Sequence, residues 1–270
     1  MKPNLPVIRK MRTILILLFA FIFCLPGNSL LAQNSLYVEE EIQITSSPSY
    51  EICPTLGNDG VSDLVVYGVR HVDPVTNQPG AGQIWYQRLD NGHPMGLPVL
   101  ISANSTRHDE LNDTWDDYII YTSYDQLGDA SGNIVLYQIS TAATHIIASA
   151  DIIYESHIHD HYIVWREGGS FSAKVMLYDL DWVGTSLLPV NIAGPVPPTF
   201  GVEIGDSFAV WTEYENGQFD VVVRDLETAS TYAITATSTI DESYPSTDGN
   251  FVVWSARGHG VASSSIKIID

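Results

Sequence analysis

The 270-residue sequence is poor in cysteine and in positive charge. It holds 2 cysteines, Cys24 and Cys53. Two are too few for a disulfide framework or a zinc-finger pattern. Lys plus Arg number 12 against 32 Asp plus Glu, a net charge of −20. A phosphate-binding surface needs clustered Lys and Arg, so this balance speaks against nucleic acid as a partner. It speaks equally against docking on an anionic membrane surface. Also missing is any window with sustained helical periodicity and caps. What is present is 45% hydrophobic and 10% aromatic residues, the composition of a folded chain. The length gives one large domain or two small ones.

Residues 1–33 read as a secretory signal. Lys2, Arg9, Lys10 and Arg12 form a basic start, and Thr13 to Leu25 is an apolar run broken by Pro26-Gly27. The run is shorter than the ~20 residues of a membrane span. Cleavage is expected near Ala32 or Gln33, which places the protein in the periplasm or outside the cell with no membrane insertion afterwards. The remaining chain, residues 34–270, keeps 8 of the 12 basic residues and all 32 acidic ones, for a net −24. Cys53 is then alone and is expected to be a small buried hydrophobe.

The remaining chain repeats one unit five times. A polar residue and four apolar ones ending in Tyr or Trp recur at Asp63–Tyr67, Asp117–Tyr121, His161–Trp165, Ser207–Trp211 and Asn250–Trp254. The closing aromatics are 54, 44, 46 and 43 residues apart. A second apolar segment starts at Ile84, Ile134, Val175, Val221 and Ile266, with spacings of 50, 41, 46 and 45. Two markers with a shared period of about 45 residues define a repeat. Both are short, rich in Val, Ile, Tyr and Trp, and bounded by Asp, Gly, Asn and Ser, so both read as strands. Four consecutive apolar positions require cover on both faces, hence stacked sheets. The prediction is an all-β fold, a β-propeller of five four-stranded blades. Their approximate limits are 50–104, 105–150, 151–194, 195–238, and 239–270 completed by a strand from 41–47. That N-terminal strand closes the ring and removes exposed edges.

The stretch from Phe208 to Thr235 resembles the repeats of TolB-like, WD-repeat-like propellers of exported bacterial proteins. The matching residues are Trp211, Asn216, Gly217, Asp220, Asp225, Leu226, Thr228, Ile234 and Thr235, and Tyr244–Gly249 looks like the family's first strand. The resemblance spans roughly 41–270 and is best in the fourth and fifth repeats. It implies the fold and export. The six blades and second domain of TolB are not seen in the sequence.

Propeller geometry puts the starts of the innermost strands on one face, beside long loops at Val69–Gly82 and Thr122–Gly132. Glu51, Asp109, Glu110, Glu155, Asp241 and Glu242 fall at those starts, as a candidate binding rim at the channel mouth. The fourth repeat has Thr199 or Phe200 there. Oxygen ligands of this kind suit a hard cation such as Ca2+, though no cofactor is required. The leading expectation is a monomeric, non-catalytic module or scaffold that binds a protein or carbohydrate. The alternative is a carbohydrate-active hydrolase using carboxylates at the channel mouth. His157-Ile158-His159-Asp160-His161 is similar to the metallo-β-lactamase signature but one residue short, and reads as a strand end and turn.

Overall fold

A computed structural model describes residues 43–45, 49–72, 75, 79–102, 107–169, 173–196, 201–215, 217–260 and 263–269. The expected signal over 1–33 lies outside them. Strands dominate, and a single 3-10 turn (Leu180–Trp182) is the helical element among the described residues.

The described strands form five antiparallel sheets, taken in chain order. The first sheet is β1 (Tyr50–Asn58), β2 (Asp63–Val72), β3 (Pro79–Asp90) and β4 (His93–Leu100). The second is β5 (His108–Trp115), β6 (Tyr118–Tyr124), β7 (Gly132–Gln138) and β8 (Ala143–Ala150). The third is β9 (Ile153–His159), β10 (Tyr162–Glu167), β11 (Ala173–Asp179) and β12 (Val190–Val196). The fourth is β13 (Glu203–Ile204), β14 (Phe208–Glu215), β15 (Gln218–Asp225) and β16 (Thr231–Ala233). The fifth has three strands, β17 (Ile240–Asp248), β18 (Phe251–Gly258) and β19 (Ser264–Ile269). Each sheet is a meander, and successive first strands lie beside one another.

Alternation of side chains explains the four-residue apolar run of each second strand. Leu64 and Val66 pack into a cluster shared with the second sheet, while Val65 and Tyr67 face the other way. The same split recurs downstream. Tyr121 lies in the cluster between the first and second sheets, Trp165 between the second and third, Trp211 between the third and fourth, and Trp254 between the fourth and fifth. In the second to fifth sheets the aromatic marker therefore points at the preceding sheet. Trp165 and Trp211 are fully buried by it.

Several expectations change. The first strand of the fourth sheet is only two residues long, and β12 begins at Val190, after the 3-10 turn. Cys53 is exposed and not buried. It sits at a register shift between Ile52 and Thr55 with φ of 49°, and this bulge turns its side chain out of the pleat. Of the expected closing strand at 41–47, residues 43–45 are described and carry no strand pairing.

Candidate functional site

The five first strands share one register. The residue before each aromatic marker pairs with Thr55, Asp113, His157, Glu203 and Ser246 respectively. Four of these lie eight residues before their aromatic; Thr55 is farther because its turn is longer. A left-handed residue precedes this layer by two positions in four sheets: Cys53, Glu155, Gly201 and Tyr244. Positive φ is costly for non-glycine residues, so sheet pairing on both sides must hold it.

Within this layer, three neighbouring sheets meet at one imidazole. His157 Nδ1 is 3.6 Å from Asp113 Oδ2 and 3.6 Å from Glu203 Oε2. Asp113 is oriented by its own hydrogen bonds, accepting from Thr114 N at 2.8 Å and from Ile158 N at 3.3 Å. Burial pushes the His157 pKa down, but the Asp113 and Glu203 carboxylates outweigh it and hold it above the usual histidine value. Burial raises Glu203 above the usual carboxyl range; His157 opposes this, while Asp113 and Glu155 add to it. One cation is shared among three carboxylates, which favours a protonated histidine and a reluctant Glu203.

The predicted rim residues are held in different ways. Asp109 and Glu242 are buried, at 4% and 5% exposure. Each is tied to the hydroxyl that follows the last strand of the preceding sheet. Ser102 Oγ accepts from Ile84 N at 2.7 Å and donates to Asp109, which Ser123 also holds. Thr235 Oγ1 accepts from Val221 N at 2.8 Å and donates to Asp220 Oδ1 at 3.4 Å; Glu242 accepts from Thr237 at 3.1 Å, and the nearby Thr235 hydroxyl also lowers its pKa. Burial raises both carboxyls. Glu51 accepts from Thr45 Oγ1 in the same manner. Glu110 accepts from Arg70 Nη2 at 2.6 Å and from His108 Nε2 at 2.9 Å. Because Gly82 N donates to His108 Nδ1 at 2.9 Å, the His108 proton sits on Nε2. Gly82 allows this close approach: a Cβ there would lie 2.4 Å from the Asp109 carbonyl oxygen. Glu155 is exposed, 3.9 Å from Arg166 Nη2. Asp241 accepts from Phe219 N at 3.3 Å and from His259 at 3.2 Å.

Sequence reasoning missed Asp113 and Glu203, and read His157 only as part of a strand end and turn. The fourth repeat was assigned no acid, yet Glu203 supplies one at the common level. The spacing of eight from the aromatic is the signal that finds them. The other histidines of that run go elsewhere. His159 donates to Asp206 at 2.5 Å and lies 3.8 Å, ring to ring, from Trp115, while His161 is exposed. Among the described residues, no group of three His, Cys, Asp or Glu side chains is arranged to hold a metal ion. A polar cleft of about 210 Å³ opens at the second sheet's long loop, lined by Arg107, Asp125, Asn133, Ser149 and Asp151.

No family model matches the chain, and no curated protein matches it in sequence. Solved structures do. A prolyl endopeptidase aligns at 13% identity over 80% of this chain and 35% of its own, with a TM-score of 0.58. The chain thus spans about a third of that enzyme. A putative TolB from Agrobacterium tumefaciens aligns at 12% identity over 84% of this chain and 79% of its own, with a TM-score of 0.52. The β-propeller domain of a trilobed protease from Pyrococcus furiosus aligns at 10% identity over 82% and 81%, with a TM-score of 0.44. No helix among the described residues is long and apolar enough to cross a membrane. With the stacked meanders, the likeness to TolB gives the chain a TolB-like propeller fold.

Proposed function

We propose that the protein is an exported, five-bladed propeller that binds a protein or carbohydrate partner without catalysing a reaction on it. The observation that carries this is the engagement of the channel layer. A glycosidase needs an acid and a base or nucleophile facing each other across the scissile bond. Here Asp113 and Glu203 both face the same His157 nitrogen, at 3.6 Å each, so an imidazole occupies the space between them. The likeness to a prolyl endopeptidase covers 35% of that enzyme and brings its fold alone.

The test pairs a binding screen on glycan and peptide arrays with hydrolysis assays on glycoside and peptide substrates, using the parent, Glu203→Gln and Asp113→Asn. Saturable binding with no turnover supports the proposal. Turnover by the parent that Glu203→Gln abolishes replaces it with the hydrolase reading.

A further inference from the structure

The polar cleft at the second sheet's long loop is built from the ends of all four strands of that sheet. Arg107 precedes β5, Asp125 follows β6, Asn133 lies at the start of β7, and Ser149 lies near the end of β8, just before Asp151. The ladder sets Ser123 opposite Asn133, and Asn133 opposite Ser149. A site on strand ends is held more rigidly than one on a free loop. The adjoining loop is fixed as well. Gln126 N donates to Asp129 Oδ2 at 2.9 Å, and Asp129 N donates to the Gln126 carbonyl at 3.2 Å. Ile153 N of the third sheet donates to the Ala130 carbonyl at 3.1 Å. Gly128, with φ of 92°, takes the left-handed position in the reversal. The cleft is therefore preformed, and a ligand loses little affinity to ordering it.

Its polar groups are oriented but keep free capacity. Arg107 donates from Nε to Ser123 Oγ at 2.8 Å, from Nη2 to the Ser123 carbonyl at 2.7 Å and from Nη1 to Asp125 Oδ1 at 2.5 Å. These bonds engage three of the five guanidinium N–H groups and leave two to donate elsewhere. Ser149 Oγ donates to Asn133 Oδ1 at 2.6 Å, which leaves the Asn133 Nδ2 hydrogens to donate. Asp125 is 72% exposed, so its second oxygen is open to solvent. Among the described residues, the Asp151 carboxylate makes no hydrogen bond or ion pair.

This set of donors and acceptors excludes several kinds of ligand. Two carboxylates against one guanidinium give the cleft a net negative charge, which repels an anion. A metal ion is no better served. Asp125 is already held by Arg107, and no three metal-ligating side chains converge among the described residues. The lining is polar apart from Ala150 and Gly132, so an apolar side chain finds nothing to pack on. What fits is a neutral molecule that donates and accepts from adjacent atoms. A hydroxyl carries one donor and two acceptor lone pairs, so two neighbouring hydroxyls match an Asp set beside an Arg or Asn. We infer that the cleft binds a neutral sugar through a vicinal pair of hydroxyls. Asp125 and Asp151 accept the hydroxyl protons, while Arg107 and Asn133 Nδ2 donate to the hydroxyl oxygens. At about 210 Å³ the cleft is smaller than the ~300 Å³ at which pockets enclose a drug-sized ligand. It therefore takes one ring at the end of a glycan and leaves the rest in solvent. The inference rests on the proposed binding function and deepens it by naming the ligand and its place.

Calorimetric titration at pH 7 with simple glycosides tests it. Methyl glucoside, galactoside and mannoside are the neutral probes, and the uronide matching the best of them is the charged one. At least one neutral probe is expected to bind with a Kd of about 1 mM, the range for a small ligand held by a few hydrogen bonds. The matching uronide is expected to bind at least ~10-fold more weakly, because it brings a second negative charge. Asn133→Ala and Asp151→Asn should each weaken the neutral probe by about 10-fold or more, since each leaves a sugar hydroxyl without its partner. Asp151 has no described bond to lose, so that variant separates binding from folding. Asp116→Asn, in the β5–β6 turn at the other end of the sheet, should bind as the parent does. No saturable binding of a neutral probe up to roughly 20 mM, binding undiminished in both cleft variants, or binding that a calcium chelator abolishes overturns the inference. The arrays tell this failure from that of the proposed function. Capture of a glycan or peptide that persists in both cleft variants overturns the cleft alone, and a parent that captures neither overturns both.

Discussion

Asp109 shows how one carboxylate can be placed for structure where its position in the repeat suggested a rim ligand. Its side chain is 96% removed from solvent, and Oδ1 has no hydrogen-bond partner among the described residues. Burial dominates and raises its pKa, against the opposing Ser123, Ser102 and Arg107. A carboxyl raised in the fold stabilises fully below its unfolded value, and that contribution is lost as pH rises through the folded value. Near neutrality the buried Asp109 carboxyl is therefore a burden. Asp109→Asn keeps the shape and the acceptor while removing the charge. It is expected to raise the melting temperature at pH 7 by a few degrees, as ~1 kcal/mol is worth ~2–4 °C at this size, and to gain less at pH 4. Melting curves at the two pH values check this. A lower melting temperature at pH 7 would mean that the charged form is the stabilising one.

At the scale of elements, the first strands are the informative ones. β5, β9 and β13 each place one residue at the same level, and His157 joins the three sheets through Asp113 and Glu203. A histidine whose pKa is raised in the fold stabilises below its usual value of ~6.5 and loses that contribution as pH rises through the raised value. His157→Ala should therefore cost more stability at pH 6 than at pH 9. The difference should be no more than about 1 kcal/mol, because the side chain is 24% exposed and solvent screens it. Urea unfolding at both pH values measures it, and an equal cost at each pH would make the imidazole a packing group only. These strands were legible to different degrees. β5 and β17 follow directly from turn residues on either side. The fourth sheet's first strand is just Glu203–Ile204, too short for any alternation to show, and that concealed Glu203.

For the whole molecule the charge balance matters most. With 12 basic residues against 32 acidic ones, self-repulsion opposes the compact state. Several pairs offset it locally, such as Arg88–Asp59 at 2.8 Å and Arg70–Glu110 at 2.6 Å, but the excess remains. Raising salt from ~10 to ~150 mM shortens the screening length from about 30 to about 8 Å. It is expected to raise the melting temperature by a few degrees. A fall instead would show that the ion pairs outweigh the repulsion.

The amino-acid sequence alone determined the repeat, the all-β class and the stacked-sheet arrangement, because two apolar markers recur with one period and four-residue apolar runs need cover on both faces. The level shared by one residue of each first strand, eight residues before the aromatic in four of the five, emerged only from the pairing register. Only the tertiary structure decided the fate of each carboxylate. Asp109 and Glu242 point between sheets to a serine or threonine, whereas Asp113 and Glu203 point to a histidine that neither contacts through its own sheet. Repeat position fixes where a backbone runs. What a side chain meets depends on which residue of the neighbouring sheet is brought against it, near in sequence for Asp109 and Glu242 and more than 40 residues away for Asp113 and Glu203.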